Sequence, residues 1–253
     1  MEQTVEKTTP TAQKRAIAML ALVLGVLAVA LVVLPGPAYR LHLLALSSAF
    51  SLLSWGAWTG LAAVVVGAIG AWLARPGQIR PGFGLALFAL VLGAIAFGIP
   101  FALLQKAHRV PPIHDISTDT ETPPTFTAIL PLRKDAANPA EYGGADIARL
   151  QHQAYPDIRP AIVTLAVPQA YARALQVAQT MGWRIVATAP ESGRIEATDT
   201  TLWFGFKDDI VIRVSAQGNA SRVDIRSVSR IGRSDIGKNA QRIREFLQRL
   251  PSG

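Results

Sequence analysis

The chain of 253 residues has no cysteine, which removes disulfides, thiolate nucleophiles and thiolate metal sites. Its four histidines all lie before Pro156, so the serines of the C-terminal third have no basic partner near them in sequence. No GxSxG, P-loop, GxGxxG or HExxH pattern occurs, and each would mark a specific chemistry by its spacing. Three long apolar stretches, residues 16–34, 50–74 and 82–104, contain no charged residue. Transporters, channels and proton pumps place ionisable groups inside their spans, so these stretches read as anchor and packing surface.

Apolar content is where the chain is rich. Half of its residues are hydrophobic, the mean hydropathy is +0.30, and most of that weight precedes Leu104. Residues 16–34 follow Lys14 and Arg15; at about 1.5 Å per residue they match a hydrocarbon core of roughly 30 Å. They are too long for a signal peptide, and Pro35-Gly36-Pro37 is no small-x-small cleavage site. Residues 1–15 read as a disordered cytoplasmic tail, and Tyr39 to Leu46 as an interfacial stretch. In the second span Gly56 and Gly60 form a small-xxx-small pair suited to close helix approach, although glycine is also simply common in membrane helices. The basic flanks Lys14/Arg15 and Arg75/Arg80 argue for a cytoplasmic N-terminus. Three crossings then put the C-terminal domain outside the cytoplasm, as a periplasmic domain of a bacterial inner-membrane, cell-envelope protein. Lys106 and Arg109 on the far side weigh against that orientation.

The net charge of +8 divides evenly, +4 before and +4 after residue 104. Residues 222–249 hold eight basic and three acidic side chains, so the rest of the soluble half is near neutral. A nucleic-acid binder carries a broad cationic face; here the basicity is one local patch, and no nucleic-acid partner is expected.

Residues 105–125 read as a linker, with Pro111-Pro112 and Pro123-Pro124 around a polar segment. His114, Asp115, Asp119 and Glu121 lie there without a rigid scaffold, so no metal site is assigned. Residues 126–160 read as an irregular arm with one helical turn near Asp146 to His152. From Ile162 the pattern becomes regular: a strand, a helix after Pro168, then WRIVATA and RIEATDTTLWFGF as a hairpin, IVIRV, and SRVDIRSVSRI. In that last strand Val223 and Ile225 face one way, and Arg222, Asp224, Arg226 and Arg230 the other. A final helix, capped by Ser234 or Asp235, carries Ile236, Ala240, Ile243, Leu247 and Leu250 as a stripe. The expected class is an α-helical membrane anchor plus an α+β soluble domain over residues 126–253. Its order is β-α-β-β-β-β-α: a mostly antiparallel sheet of about five strands with two helices.

Two constellations carry candidate chemistry. Asp208 and Asp209 invite a paired-carboxylate reading, but adjacent strand residues point to opposite faces. A turn whose carboxylates answer Arg226 or Arg230 is favoured over catalysis. The second constellation is the strand-turn-helix from Arg226 to Arg242. Its candidate ligand-binding residues are Arg226, Ser227, Ser229, Arg230, Arg233, Ser234, Lys238 and Asn239, because guanidinium groups beside a helix start suit phosphate or carboxylate. An internal ion-pair network is an equal alternative.

The run DDIVIRV, a turn, then SRVDIRSVSRIGRSDIGKNAQRI resembles the bacterial and plastid family known as domain of unknown function 1499, as does IHDISTD followed by PPTF. The motif places Asp208, Asp209, Arg226, Ser227, Ser229, Arg230, Gly232, Ser234, Asp235, Gly237 and Asn239. The resemblance covers about residues 112–250 and implies a domain boundary; it implies no reaction, cofactor or catalytic residue. The resulting expectation is a non-enzymatic, membrane-anchored envelope protein that binds an anionic small molecule or an envelope protein through the arginine-rich turn, with no cofactor. The alternative is an Asp-dependent, Mg²⁺-assisted hydrolase or transferase.

Overall fold

The computed structural model describes residues 10–74 and 82–250, and the chain divides into two compact units at Gln105/Lys106. The first unit is helical: α1 (Pro10–Val33), α2 (Pro35–Arg40), α3 (Leu46–Leu73) and α4 (Phe83–Arg109, whose last turn lies in the second unit). Among the described residues three segments are long and apolar enough to cross a membrane: Ala12–Arg40, Leu46–Leu73 and Phe83–Arg109, of 29, 28 and 27 residues. Each is longer than the roughly 20 residues a bilayer requires. Pro35 does not break the first of them, because a proline in the first turn of a helix has no hydrogen bond to lose; Ala38 N–H still donates to the Leu34 carbonyl. Residues 10–15, read as part of a disordered tail, already belong to α1. Tyr39 and Arg40 end α2, residues 41–45 form the connecting turn, and Leu46 opens α3. The rest of the tail, residues 1–9, and the basic turn Arg75 to Arg80 lie outside the described residues.

Gly56 and Gly60 of α3 face different helices. A Cβ at Gly56 would sit 2.8 Å from the Val32 side chain of α1, and one at Gly60 would sit 2.8 Å from the Gly93 carbonyl of α4. Gly93 reciprocates, with its Cβ position 2.5 Å from the Gly60 carbonyl. Small residues thus bring the α3 and α4 backbones into contact, the packing that lipid-embedded helices rely on.

The second unit is built on six strands: β1 (Asp115–Ser117), β2 (Ala161–Val163), β3 (Arg184–Ala189), β4 (Arg194–Thr200), β5 (Lys207–Gln217) and β6 (Ala220–Ser229). All pairings are antiparallel in the order β1-β6-β5-β4-β3, and β2 shares with β1 the outer edge of β6. Helices α5 (Gly144–Ala154), α6 (Val167–Thr180) and α7 (Lys238–Gln248) cover one face. Their apolar side chains pack with Ile195, Ile210, Ile212, Val223 and Ile225 in the main core, where Trp183 stacks on Phe246 at 5.6 Å. The alternation read in β6 is thus the observed one. The opposite face carries a smaller cluster of Phe126, Ile129, Val211 and Val228 under the arm.

The fold class expected from sequence holds, with two additions. Residues 115–117, read as linker, form an edge strand. Asp146 to His152, read as one turn, belong to the eleven-residue α5. Its Gln151 side chain donates to the Ser117 carbonyl at 2.7 Å and accepts the Ser117 N–H at 2.9 Å, closing an exposed sheet edge as a further strand would. One strand is shorter than its pattern. Leu202, Phe204 and Phe206 alternate, yet β4 stops at Thr200 and residues 201–206 form a closed loop. There Thr201 N–H donates to the Phe206 carbonyl at 2.8 Å, Gly205 N–H to the Thr201 carbonyl at 3.0 Å, and Phe206 N–H to Thr201 Oγ1 at 2.9 Å. Gly205 supplies the positive φ of 69° that this turn needs.

The helix packing is testable at one residue. Gly93→Leu is expected to push α3 from α4 and lower the unfolding temperature of the full chain in detergent by several degrees. Gly84→Leu, on the same helix with open space at its Cβ, should leave it unchanged.

Candidate functional site

The arginines of the signature run lie mostly on the sheet face away from the helices, and carboxylates meet them there. Arg226 is 1% exposed. Its Nε donates to Asp115 Oδ1 at 2.9 Å and its Nη2 to Asp115 Oδ2 at 2.7 Å. The remaining donors reach the carbonyls of Ala140 and Pro124. The guanidinium lies between the rings of Phe126 and Tyr142, 5.3 and 5.4 Å from their centroids, a cation–π sandwich in a dry site. Burial, reinforced by the charge of Asp115, raises the Tyr142 hydroxyl pKa to about 12.

A second group surrounds Asp209, which is fully buried. Arg133 Nη1 donates to it at 2.7 Å, Arg230 Nε and Nη2 at 2.8 and 2.9 Å, and Thr198 Oγ1 at 2.7 Å. Burial alone would raise the Asp209 pKa, but the hydrogen bonds from Arg230, Thr198 and Arg133 outweigh it and hold the carboxyl below its ordinary value. Farther along the same face, Asp119 and Asp224 share Arg213 and Arg222. Glu196, also fully buried, accepts the N–H groups of Thr127, Ala128 and Ile129 and so holds the arm down.

A further charged cluster lies on the helix side. Arg242 of α7 donates to Asp208 at 2.7 Å and to Asp199 at 2.8 Å; burial works against its charge, and the two carboxylates overcome this and raise its pKa. Asp208 and Asp209 therefore look to opposite faces of β5 and share no site. Beside Arg242, Asn239 joins strand to helix: Ser227 Oγ donates to its Oδ1 at 2.7 Å, and its Nδ2 donates to Ser229 Oγ at 3.0 Å and the His114 carbonyl at 2.9 Å.

The start of α7 already has an anion. Asp235 accepts the N–H groups of Gly237, at 2.8 Å, and Asn239, and Ser234 Oγ accepts that of Ile236 at 3.2 Å. The N-cap itself is Gly237, which has no side-chain cap bond. Of the two candidates only Asp235 reaches a first-turn N–H, that of Asn239, whereas the Ser234 bond stays within the preceding turn. The position an external anion takes at a helix N-terminus is therefore filled by Asp235. Burial, aided by the charge of Asp208, raises the Asp235 pKa against those N–H groups and Arg242.

The eight candidate ligand-binding residues thus divide. Arg226, Ser227, Ser229 and Asn239 are buried with internal partners, Arg230 is nearly so, and Ser234 is half-buried in the turn. Arg233 and Lys238 are exposed, and so is Lys207 at the start of β5. Sequence reasoning missed Arg133, Glu196, Asp199 and Arg242, and took Asp115 for linker. Only Arg242 carried a local signal, falling three residues from Asn239 and four from Phe246 on the inward side of α7. Among the described residues no group of three or more His, Asp or Glu is placed to hold a metal ion.

The Asp209 group has a pH consequence. A depressed folded pKa contributes stability that is present above the unfolded value, near 3.9, and lost as pH falls through the folded one. Asp209→Asn should cost about 3–5 kcal/mol at neutral pH, since two buried arginines lose their carboxylate. It should also flatten the acid side of the stability profile, as read by denaturant midpoints between neutral pH and about pH 3. An unchanged midpoint would exclude this group as a support of the fold.

A family model described as "Protein of unknown function (DUF1499)" matches residues 115–250, more than half of the chain. No curated protein matches it.

Proposed function

Because the chain belongs to the DUF1499 family, a membership that names no activity, we propose that it is a membrane-anchored recognition domain of the bacterial cell envelope. It meets an anionic partner through the exposed cations at one end of its sheet. The observation that carries this reading is the division of the cationic cluster. Arg226, Arg230 and Arg242 neutralise internal carboxylates, whereas Lys207, Arg233 and Lys238 project to solvent. Cations whose desolvation is already matched inside the fold support the structure, and those at the rim supply attraction at little structural cost. In this arrangement Ser227, Ser229, Ser234 and Asn239 hold the turn that presents Arg233 and Lys238, and Asp208 and Asp209 serve as ion-pair partners.

The basic flanks support a cytoplasmic N-terminus and a periplasmic domain. The absence of cysteine makes this simple to test. Asn219→Cys, in the exposed turn between β5 and β6, should react with a membrane-impermeant maleimide in right-side-out vesicles and stay protected in inverted ones. The reverse pattern would overturn the orientation.

Recognition is tested by position at constant charge. On a phosphate-bearing resin, full chain carrying Arg233→Gln with Lys238→Gln should elute at markedly lower salt than wild type. Lys14→Gln with Arg15→Gln, an equal loss of charge elsewhere, should shift elution much less. Equal shifts would reduce the effect to net charge and end this reading.

A further inference from the structure

The strand registers gather at one end of the sheet three features that are far apart in sequence. Asp115, where the chain enters β1 after α4, lies opposite Val228. The next residue of β6, Ser229, lies opposite Asp208, and the residue before that, Lys207, lies opposite Thr200. The entry of the chain, the loop of residues 201–206 and the turn of residues 230–237 therefore occupy the same end. The β5–β6 turn at Gly218 and Asn219 lies at the other, about 35 Å away along the eleven residues of β5.

The loop at the entry end is unusual in composition. It reads TLWFGF, and Leu202 is 89% exposed at its tip. The base is rigid: the Thr201 hydrogen bonds close it, Phe204 is buried, and Phe204 stacks on Phe206 at 4.9 Å with Trp203 edge-on at 5.1 Å. A single exposed leucine on a soluble surface needs no explanation. Here it stands beside an indole, among the exposed cations Lys207, Arg233 and Lys238. Most acids of that end are engaged: Asp208 and Asp199 with Arg242, Asp209 with Arg133 and Arg230, and Asp235 at the helix start, while Glu141 is exposed on the arm. Exposed Lys134 and Asp135 offset one another.

We propose that the loop of residues 201–206 is a membrane-contact element, which seats Leu202 and Trp203 in the headgroup layer of an anionic bilayer while Lys207, Arg233 and Lys238 face lipid phosphates. The proposal rests on the cationic rim described above and names its partner as a lipid surface. Apolar tip, interfacial tryptophan and flanking cations are the composition that binds a bilayer peripherally, and each cation near an anionic surface adds attraction within a Debye length. One leucine and three cations would bind weakly from solution. The domain is covalently joined at this same end to a helix apolar enough to span a membrane, and tethering turns a weak contact into a largely occupied one.

The full chain has no native thiol, so Leu202→Cys is a unique labelling site at an exposed position. A nitroxide there, in full chain reconstituted into bilayers containing phosphatidylglycerol, should be accessible to oxygen and several-fold protected from a water-soluble nickel chelate. The same label on Asn219→Cys should be open to the chelate. In phosphatidylcholine alone, or with Lys207, Arg233 and Lys238 all changed to Gln, protection at position 202 should fall several-fold. A label at 202 that meets nickel as freely as one at 219 overturns the proposal, and so does one shielded from nickel and oxygen together, the mark of a protein partner. If the label is aqueous while the resin test still singles out Arg233 and Lys238, the lipid partner fails and the cationic rim stands. If the resin test also fails, the rim falls with it.

Discussion

The second unit depends on the buried pair of Arg226 and Asp115. A guanidinium removed from water is tolerable only where its donors are matched, and the match here comes from a residue 111 positions away. The bidentate contact fastens β1 to β6, the bonds to Ala140 and Pro124 draw the arm over the sheet, and the rings of Phe126 and Tyr142 exclude water from the pair. Arg133, Asp209 and Glu196 repeat the device. Each is a charge on the sheet face or the arm that finds its partners on the other. The helix-covered face is held by hydrocarbon and this face largely by ion pairs, which fix one register because a slipped strand would leave charges buried and unpaired.

Much of this was legible in the sequence, and the limits have physical causes. Long uncharged runs can only be buried or in lipid, so the three apolar helices follow from composition. Alternation in β6 placed Val223 and Ile225 opposite Arg222 and Asp224, because a strand has period two whatever its partners. The partners themselves were hidden. Asp115 sits between proline pairs in a polar segment, and nothing local separates a solvated aspartate from one that will meet an arginine across a sheet. Leu202, Phe204 and Phe206 misled for the opposite reason: three alternating positions satisfy a strand pattern, but the side-chain and backbone bonds of Thr201, with Gly205 at positive φ, close a loop instead.

The same energetics govern where a ligand can act. To bind an external anion, Arg226 would have to leave Asp115, stranding a carboxylate that is 4% exposed and bonded to no other cation among the described residues. Asp209 sets the same condition on Arg230, and Asp235 on the N-terminus of α7. A partner would have to supply the full desolvation cost of those carboxylates before gaining any affinity. Arg233 and Lys238 carry no such condition, since both are exposed, one on the turn and the other at the start of α7, braced by Asn239, Ser227 and Asp235. The arginine-rich run thus has two parts that a sequence pattern cannot separate, an inner part that builds the turn and an outer part that the turn presents. The proposed recognition falls to the outer part because it is there that contact leaves no carboxylate behind.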